Sequence, residues 1–153
     1  MGTDAAELER QRGLFPADSP LVRALDGMLD FTLLLNLQRQ VVFVNRSFAG
    51  FLSERGFTSP LGERPGWFTG CAHAAEPPGG CGTTEACRYC GSALTLAAVL
   101  AGGEAENECR ILAGYGGEAL DLRVRAKPFE YGGEHLIIMS LADISAEKRR
   151  LAF

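Results

Sequence analysis

A strand that alternates between apolar and charged residues is the feature that most constrains the fold of this chain. In the segment ALDLRVRAKPF, residues 119–129, apolar side chains occupy every second position along most of the run, with charged side chains between them. Because successive side chains of a strand point to opposite faces of a sheet, this pattern predicts an antiparallel strand with one buried face. The next run, EHLIIMSLADI, is apolar on both faces and predicts a central strand. The residues EYGGE between the two runs predict a hairpin turn.

Two more β-rich regions complete the predicted strands. The segment FTLLLNLQRQVVFVN, residues 31–45, predicts a hairpin of two strands. The segment ENECRILA, residues 106–113, predicts the first strand of a meander that ends with the two strands described above. The chain therefore predicts five antiparallel strands, two before residue 46 and three after residue 105.

Helices are predicted around these strands. Residues 1–14 are polar and predict a frayed helix or a packing arm, and a better helix begins at Ser19, which can cap it. Asn45 can cap a short helix, a longer helix ends at the Gly102–Gly103 pair, and a last helix begins with a cap at Asp143 or Ser145. The helix after Ser19 is predicted to bury one apolar face: Leu21, Val22, Leu25, Met28 and Leu29. The order predicts an α+β fold, one five-stranded antiparallel sheet with short helices on one face and helical N- and C-terminal extensions.

Composition narrows the function classes. The chain has 153 residues, enough for one domain with its own core, and a net charge of −4, which disfavours nucleic acid or an anionic membrane as the main partner. The basic residues Arg123, Arg125 and Lys127 are interpreted as a solvated strand face. No apolar run approaches the length of a membrane span, and the charged N-terminus is not a secretory signal. We therefore expect a cytoplasmic protein with reduced thiols.

Four of the five cysteines are concentrated in one glycine-rich segment. Cys71, Cys81, Cys87 and Cys90 have the spacing Cys-x9-Cys-x5-Cys-x2-Cys. If Thr84 caps the following helix, two of these thiols lie one turn apart near the helix N-terminus, where the macrodipole favours thiolate over thiol. Thiolate is the form that binds metal, so the segment predicts a site for zinc or an iron–sulfur cluster. The donor set alone does not decide between the two metals.

Other interpretations of these residues stay open. His73 can replace Cys71 as a ligand or lie beside the site. The pair Cys87 and Cys90 is also the arrangement of thiol–disulfide exchange, although no buried parallel strand is predicted before it. Cys109, outside the segment, is interpreted as a small core residue.

The order of elements resembles a PAS domain over about residues 22–148. The segment VVFVNRSFAGFL resembles the passage from the second PAS strand into its first short helix, and LADISAEKRR resembles the passage from the last strand into the signalling helix. The stretch GCAHA…GGCGTTEACRYCGSA resembles bacterial sensory PAS modules with a Cys-rich insert in the helical middle. The resemblance implies an N-terminal helical extension (1–21), a sensory domain (22–145, with the Cys-rich segment at 58–91) and the start of a signalling helix (146–153).

The resemblance also implies how such a domain works. PAS domains bind a small molecule between the sheet and the middle helices, dimerise through N-terminal helices, and act on a histidine kinase or another signalling effector. For this chain the predicted pocket walls are Leu33, Leu35, Trp67, Ile111 and Leu122. The leading hypothesis is a non-enzymatic sensory domain whose metal site senses redox state, a gas or a small ligand. The alternatives are a small thiol-disulfide redox protein or metallochaperone that uses Cys87 and Cys90, and a protein-interaction PAS module with inert thiols.

Overall fold

The computed structural model describes residues 5–54, 98–111 and 120–151, and these residues form one antiparallel sheet. Its strands are β1 (Phe31–Leu35), β2 (Val41–Val44), β3 (Ala105–Ile111), β4 (Leu120–Tyr131) and β5 (Glu134–Asp143). They lie side by side in the order β2-β1-β5-β4-β3, so the five predicted strands are confirmed and β5 is central, as its two apolar faces predict.

Four helices with described bounds accompany the sheet: α1 (Ala5–Arg12), α2 (Pro20–Asp26), α3 (Arg46–Glu54) and α4 (Ser145–Leu151). Residues 98–100 are also helical. The Gly102–Gly103 pair ends that helix as predicted. The Gly102 N–H donates to the Val99 carbonyl, the Gly103 N–H donates to the Ala98 carbonyl, and Gly102 has a φ of 100°. This is the Schellman arrangement, which needs a left-handed residue and therefore favours glycine.

Helix α2 is shorter than its apolar pattern predicts. It ends at Asp26, so Met28 and Leu29 do not lie on its buried face; Met28 is 46% exposed and Leu29 is 91% exposed. The buried residues of the helix are Val22 and Leu25. The last helical hydrogen bond runs from the Gly27 N–H to the Arg23 carbonyl, and beyond it the side-chain amide of Asn45, between β2 and α3, donates to the Leu25 carbonyl. Ser19 occupies the N-cap position, but its side chain makes no capping hydrogen bond.

The two faces of the sheet carry two separate clusters of buried residues. The first core contains α3 and the helix end near residue 99, packed on one face. The second core contains residues of α2 and Phe15, packed on the other face, and it is bordered by Leu8 of α1. The members of the first core are Leu33, Leu35, Val41, Phe48, Leu52, Val99, Leu122, Val124, Ala126, Ile137, Met139 and Leu141. The members of the second core are Phe15, Val22, Leu25, Leu34, Val42 and Leu136.

The β1–β2 turn and the β4–β5 turn lie at the same end of the sheet. Between β4 and β5, Gly132 and Gly133 form a two-residue turn with φ values of 59° and 80°, as EYGGE predicts. Between β1 and β2, the turn runs from Asn36 to Gln40 and contains Arg39 with a φ of 68°. Because Leu35 of β1 pairs with Ile137 near the start of β5, the two turns are neighbours.

Candidate functional site

The predicted metal ligands lie outside the described residues. This applies to Cys71, His73, Cys81, Cys87 and Cys90, and also to the predicted pocket residue Trp67. Among the residues that the structure does describe, no group of three or more His, Cys, Asp or Glu side chains is arranged to hold a metal ion. What the structure describes near the candidate site is the chain on either side of residues 55–97.

Both of these segments are anchored in the first core. On the N-terminal side, α3 buries Phe48 and Leu52 against the sheet. On the C-terminal side, Val99 is buried in the same core, and the Schellman turn then directs the chain into β3. We call α3 and residues 98–103 the two stems of the Cys-rich segment. The sheet thus fixes where the segment begins and ends.

Three of the predicted pocket residues come together in the first core. Leu33, Leu35 and Leu122 are all buried there. Leu33 pairs across the ladder with Met139, and Leu35 pairs with Ile137, so β1 and β5 bring their apolar side chains to the same face. Ile111 is the last residue of β3 and pairs with Leu120 of β4. The predicted alternation of these strands therefore brings Leu33, Leu35 and Leu122 to the face that α3 covers.

An aromatic cluster closes the first core beside α3. The ring centroid of Phe31 lies 5.3 Å from that of Phe48 and 4.7 Å from that of Phe51. Phe31 and Phe51 are only half-buried, whereas Phe48 is fully buried. Phe48 is thus oriented into the core, and Phe31 of β1 completes the contact.

The side chain of Asn45 joins α2, β1 and α3. Its Oδ1 accepts hydrogen bonds from the N–H groups of Thr32 and Phe48, both at 3.1 Å. Its Nδ2 donates to the carbonyls of Leu25 and Asp30, both at 3.0 Å. The bond to Phe48 is the predicted N-cap of α3. Because Asn45 is fully buried and uses both amide hydrogens, it fixes the end of α2 against the start of α3.

Two further hydrogen bonds strengthen the same junction. The Arg46 N–H at the start of α3 donates to Oδ1 of Asp26, the last residue of α2, at 2.8 Å. The hydroxyl of Ser47 donates to the Met28 carbonyl at 3.0 Å. A carboxylate at a helix N-terminus also interacts favourably with the helix dipole. The first stem of the Cys-rich segment is therefore bonded directly to an N-terminal helix.

The C-terminal helix is attached to β4 in a similar way. The Ser145 N–H donates to Oδ1 of Asp143 at 2.9 Å, so the predicted role of Asp143 as a cap is confirmed. The Ser145 hydroxyl instead accepts a hydrogen bond from the Asp121 N–H at 3.1 Å, and the Ile144 N–H donates to the Asp121 carbonyl at 2.8 Å. Arg123 of β4 lies 3.4 Å from the Glu147 carboxylate in the first turn of α4. The direction in which α4 leaves the sheet is therefore set by β4.

A buried polar contact on the second face was not anticipated from the sequence. Gln11 is the one buried residue of α1, and its Oε1 accepts a hydrogen bond from Nδ2 of Asn36 at 3.1 Å. Oδ1 of Asn36 accepts the N–H groups of Gln38 and Gln40, which shapes the β1–β2 turn. An asparagine directly after the apolar run FTLLL is the signal that could have indicated this contact, because buried amides need partners.

Comparison with known proteins identifies the fold. No protein-family model matches the chain, and no curated protein matches it significantly. Among solved structures, the chain is similar to the PAS domain of an HTR-like protein from Haloarcula marismortui, with 16% identity and a TM-score of 0.54 over 92% of this chain and 100% of that chain. It is also similar to the PAS domain of nitrogen regulation protein NR(II) from Vibrio parahaemolyticus, with 15% identity and a TM-score of 0.55 over 82% and 99% of the two chains.

A third similar structure is a LOV protein of Rhodobacter sphaeroides, with 16% identity and a TM-score of 0.54 over 98% of this chain and 74% of that chain. The architecture is thus a mixed α+β domain with a five-stranded antiparallel sheet, and more specifically it is the PAS fold that the order of elements predicted.

In the described part of the chain, no helix combines the length and the apolar character that a membrane span requires.

Proposed function

We propose that this chain is a cytoplasmic sensory PAS module of signal transduction that regulates a partner and catalyses no reaction itself. The PAS fold supports the class, and one of the similar structures comes from a protein named for nitrogen regulation. Helices at both ends of the domain are attached to the sheet by specific hydrogen bonds, α2 through Asn45 and α4 through Ser145. Such attachments transmit a rearrangement of the domain to whatever the helices contact, which we propose is a second copy of the chain and a histidine kinase or another effector.

We further propose that the signal is received at a metal site in the Cys-rich segment. Cys71, Cys81, Cys87 and Cys90 would hold the metal, with His73 as an alternative ligand or beside the site. Four thiolates suit structural zinc or an iron–sulfur cluster. An iron–sulfur cluster would supply sensitivity to redox state or a gas, whereas zinc would organise the segment and leave sensing to a small ligand near Leu33, Leu35 and Leu122.

The observation that carries this proposal is the hydrogen-bonded junction between α2 and the first stem. The N-terminus of α3 is bonded to α2 through Asn45 and Asp26, and its C-terminus leads into the segment that carries the cysteines. A change in the ligation of that segment would shift α3. Because Asn45 is fully buried and bonded on four sides, α3 cannot shift without moving α2 or breaking these bonds.

The proposal is tested by purifying the chain anaerobically, recording its absorption spectrum and measuring zinc and iron per chain. We expect about one zinc ion or one cluster per chain, and we expect Cys87→Ser and Cys90→Ser to lose it. Cys109→Ser is the matched control, because Cys109 lies on β3 outside the predicted ligand set, and it should retain the metal.

Amide hydrogen exchange on metal-loaded and metal-depleted protein then tests the transmission. Metal removal should alter exchange in α2 or α4 as well as in the Cys-rich segment. Metal-free protein with an intact sheet would contradict the metal site, and disulfides mapped between these cysteines would favour thiol redox switching. A bound metal whose removal leaves both α2 and α4 unchanged would contradict the proposed transmission.

A further inference from the structure

The N-terminal helix is held on the sheet in a different way from its neighbours. In α1, the buried residue is a glutamine, and Leu8 is only half-buried. In α2, by contrast, Val22 and Leu25 are buried in the second core. Helix α1 therefore removes less apolar surface from water than α2 does, and its docking depends more on polar contacts.

These polar contacts are made with the two hairpin turns. Gln11 accepts a hydrogen bond from Asn36 at the β1–β2 turn. Arg10 forms ion pairs with Glu7 of its own helix and with Glu134, the first residue of β5 after the other turn. Hydrogen bonds to Glu7 and Glu134 raise the pKa of Arg10, whose guanidinium is charged at physiological pH even without them. Gln11 thus attaches α1 to the β1–β2 turn, and Arg10 attaches it to the β4–β5 turn.

A close apolar contact reinforces the second attachment. A Cβ atom added at Gly132 would lie 3.0 Å from Cδ2 of Leu14, so Leu14 rests directly on the glycine of the β4–β5 turn. Glycine is required there for its φ of 59° and also leaves space for the leucine.

The next residue, Phe15, is a firm anchor. It is buried, and its ring centroid lies 5.7 Å from that of Phe43 and 5.6 Å from that of Tyr131. Residues 16–18 that follow are exposed, and they lead into α2. The boundary between weakly buried and strongly buried chain therefore falls between Leu14 and Phe15.

We propose that residues 5–14 form a strap that undocks from the two turns while Phe15, α2 and the sheet stay folded. The undocked strap exposes Asn36 and the Gly132 turn and frees the N-terminus to change direction about Phe15. This device is independent of the proposed metal site, because every contact that it uses lies on the second face and the two turns.

A charge-reversal series on the full chain tests the strap, with amide hydrogen exchange as the measurement. Arg10→Glu places a third carboxylate beside Glu7 and Glu134, and we expect amides of residues 9–14 to exchange about three to ten times faster. Amides of β4, β5 and α2 should keep their wild-type rates. The double variant Arg10→Glu with Glu134→Arg restores the opposite charges and should bring the strap back toward wild-type exchange.

Arg12→Glu is the matched control. Arg12 pairs with Glu9 inside α1, and it lies closer to the helix C-terminus, so reversal there costs the helix at least as much intrinsic stability. We expect it to change strap exchange much less than Arg10→Glu. The proposal is overturned if Arg10→Glu leaves residues 9–14 unchanged, if it accelerates β5 by the same factor as the strap, or if Arg12→Glu has the same effect.

Discussion

The first and second faces of the sheet are both covered by helices, but the coverings differ in chemistry. On the first face, α3 and residue 99 meet the strands through twelve buried apolar residues. On the second face, six buried apolar residues of α2, Phe15 and the strands are extended by α1, which adds the half-buried Leu8, a buried amide pair and an ion pair. Apolar burial gives large, non-directional stabilisation, whereas polar contacts add little net stability and specify geometry. The comparison indicates a permanent core on the first face, whereas the strap at the edge of the second face can detach.

The largest expected effect tests the permanence of the first core. Phe48→Ala removes a fully buried ring that stacks on Phe31 and Phe51, and we expect it to lower the free energy of unfolding by about 3–5 kcal/mol. Phe15→Ala is the counterpart on the second face and should cost less, since the neighbouring strap can move to fill or hydrate the space. Urea denaturation measures both, and an equal or larger cost for Phe15→Ala would remove the proposed contrast.

The next effect tests the junction between the two faces. Asn45→Ala removes one hydrogen-bond partner from each of four backbone groups: the Thr32 and Phe48 N–H groups and the Leu25 and Asp30 carbonyls. We expect a loss of roughly 2–3 kcal/mol in the free energy of unfolding, because buried groups lose hydrogen bonds without regaining water.

Asn45→Asp separates the two halves of this junction. It keeps an acceptor for the two N–H groups but directs an oxygen at the two carbonyls. If the two variants lower the free energy of unfolding by similar amounts, the hydrogen bonds that Asn45 donates to the carbonyls matter most. If Asn45→Ala leaves the free energy of unfolding unchanged in urea denaturation, the role of Asn45 as a junction is contradicted.

The smallest effect isolates the strap contact. Gly132→Ala and Gly133→Ala both force alanine into a left-handed conformation, at a cost of about 1–2 kcal/mol each. Only Gly132→Ala also meets Leu14, whereas a Cβ at Gly133 has nothing within 4 Å. The excess cost at Gly132, on the order of 0.5 kcal/mol, should disappear in a Leu14→Ala background. An excess that persists without Leu14 would show that the turn, and not the strap, causes it.

Much of the fold follows from local sequence pattern. The alternation over residues 122–127 places Leu122, Val124 and Ala126 in the first core, and the doubly apolar β5 is the central strand. Asn45 and Gly102 mark a helix start and a helix end because each satisfies backbone groups that helices leave unpaired.

What the sequence did not predict depends on partners that are distant in the chain. The end of α2 is set partly by the side-chain amide of Asn45, nineteen residues beyond Asp26. Spacing alone therefore places Met28 and Leu29 on the buried face of the helix, although both lie beyond its end. Gln11 is buried because Asn36 meets it, and no periodicity in the polar α1 indicates that meeting.

The candidate site also has one part that the sequence predicted and one part that is not yet decided. Leu33, Leu35 and Leu122 could be predicted as pocket walls from the apolar strand pattern together with the resemblance to PAS domains, and they share one core. The ligation of Cys71, Cys81, Cys87 and Cys90 is still a prediction, because spacing and thiolate chemistry limit the metal to zinc or an iron–sulfur cluster without choosing between them.

The two stems have a consequence for the entropy of the chain between them. Leu52 on one stem and Val99 on the other are buried in the same core, so folding of the sheet already brings together the two stems that flank residues 55–97. A cross-link inside a closed loop restricts fewer conformations than the same cross-link in an open chain. The sheet therefore lowers in advance the entropic cost of bringing distant thiols together, and any bond among the four cysteines should form more readily in the folded domain than in the isolated segment.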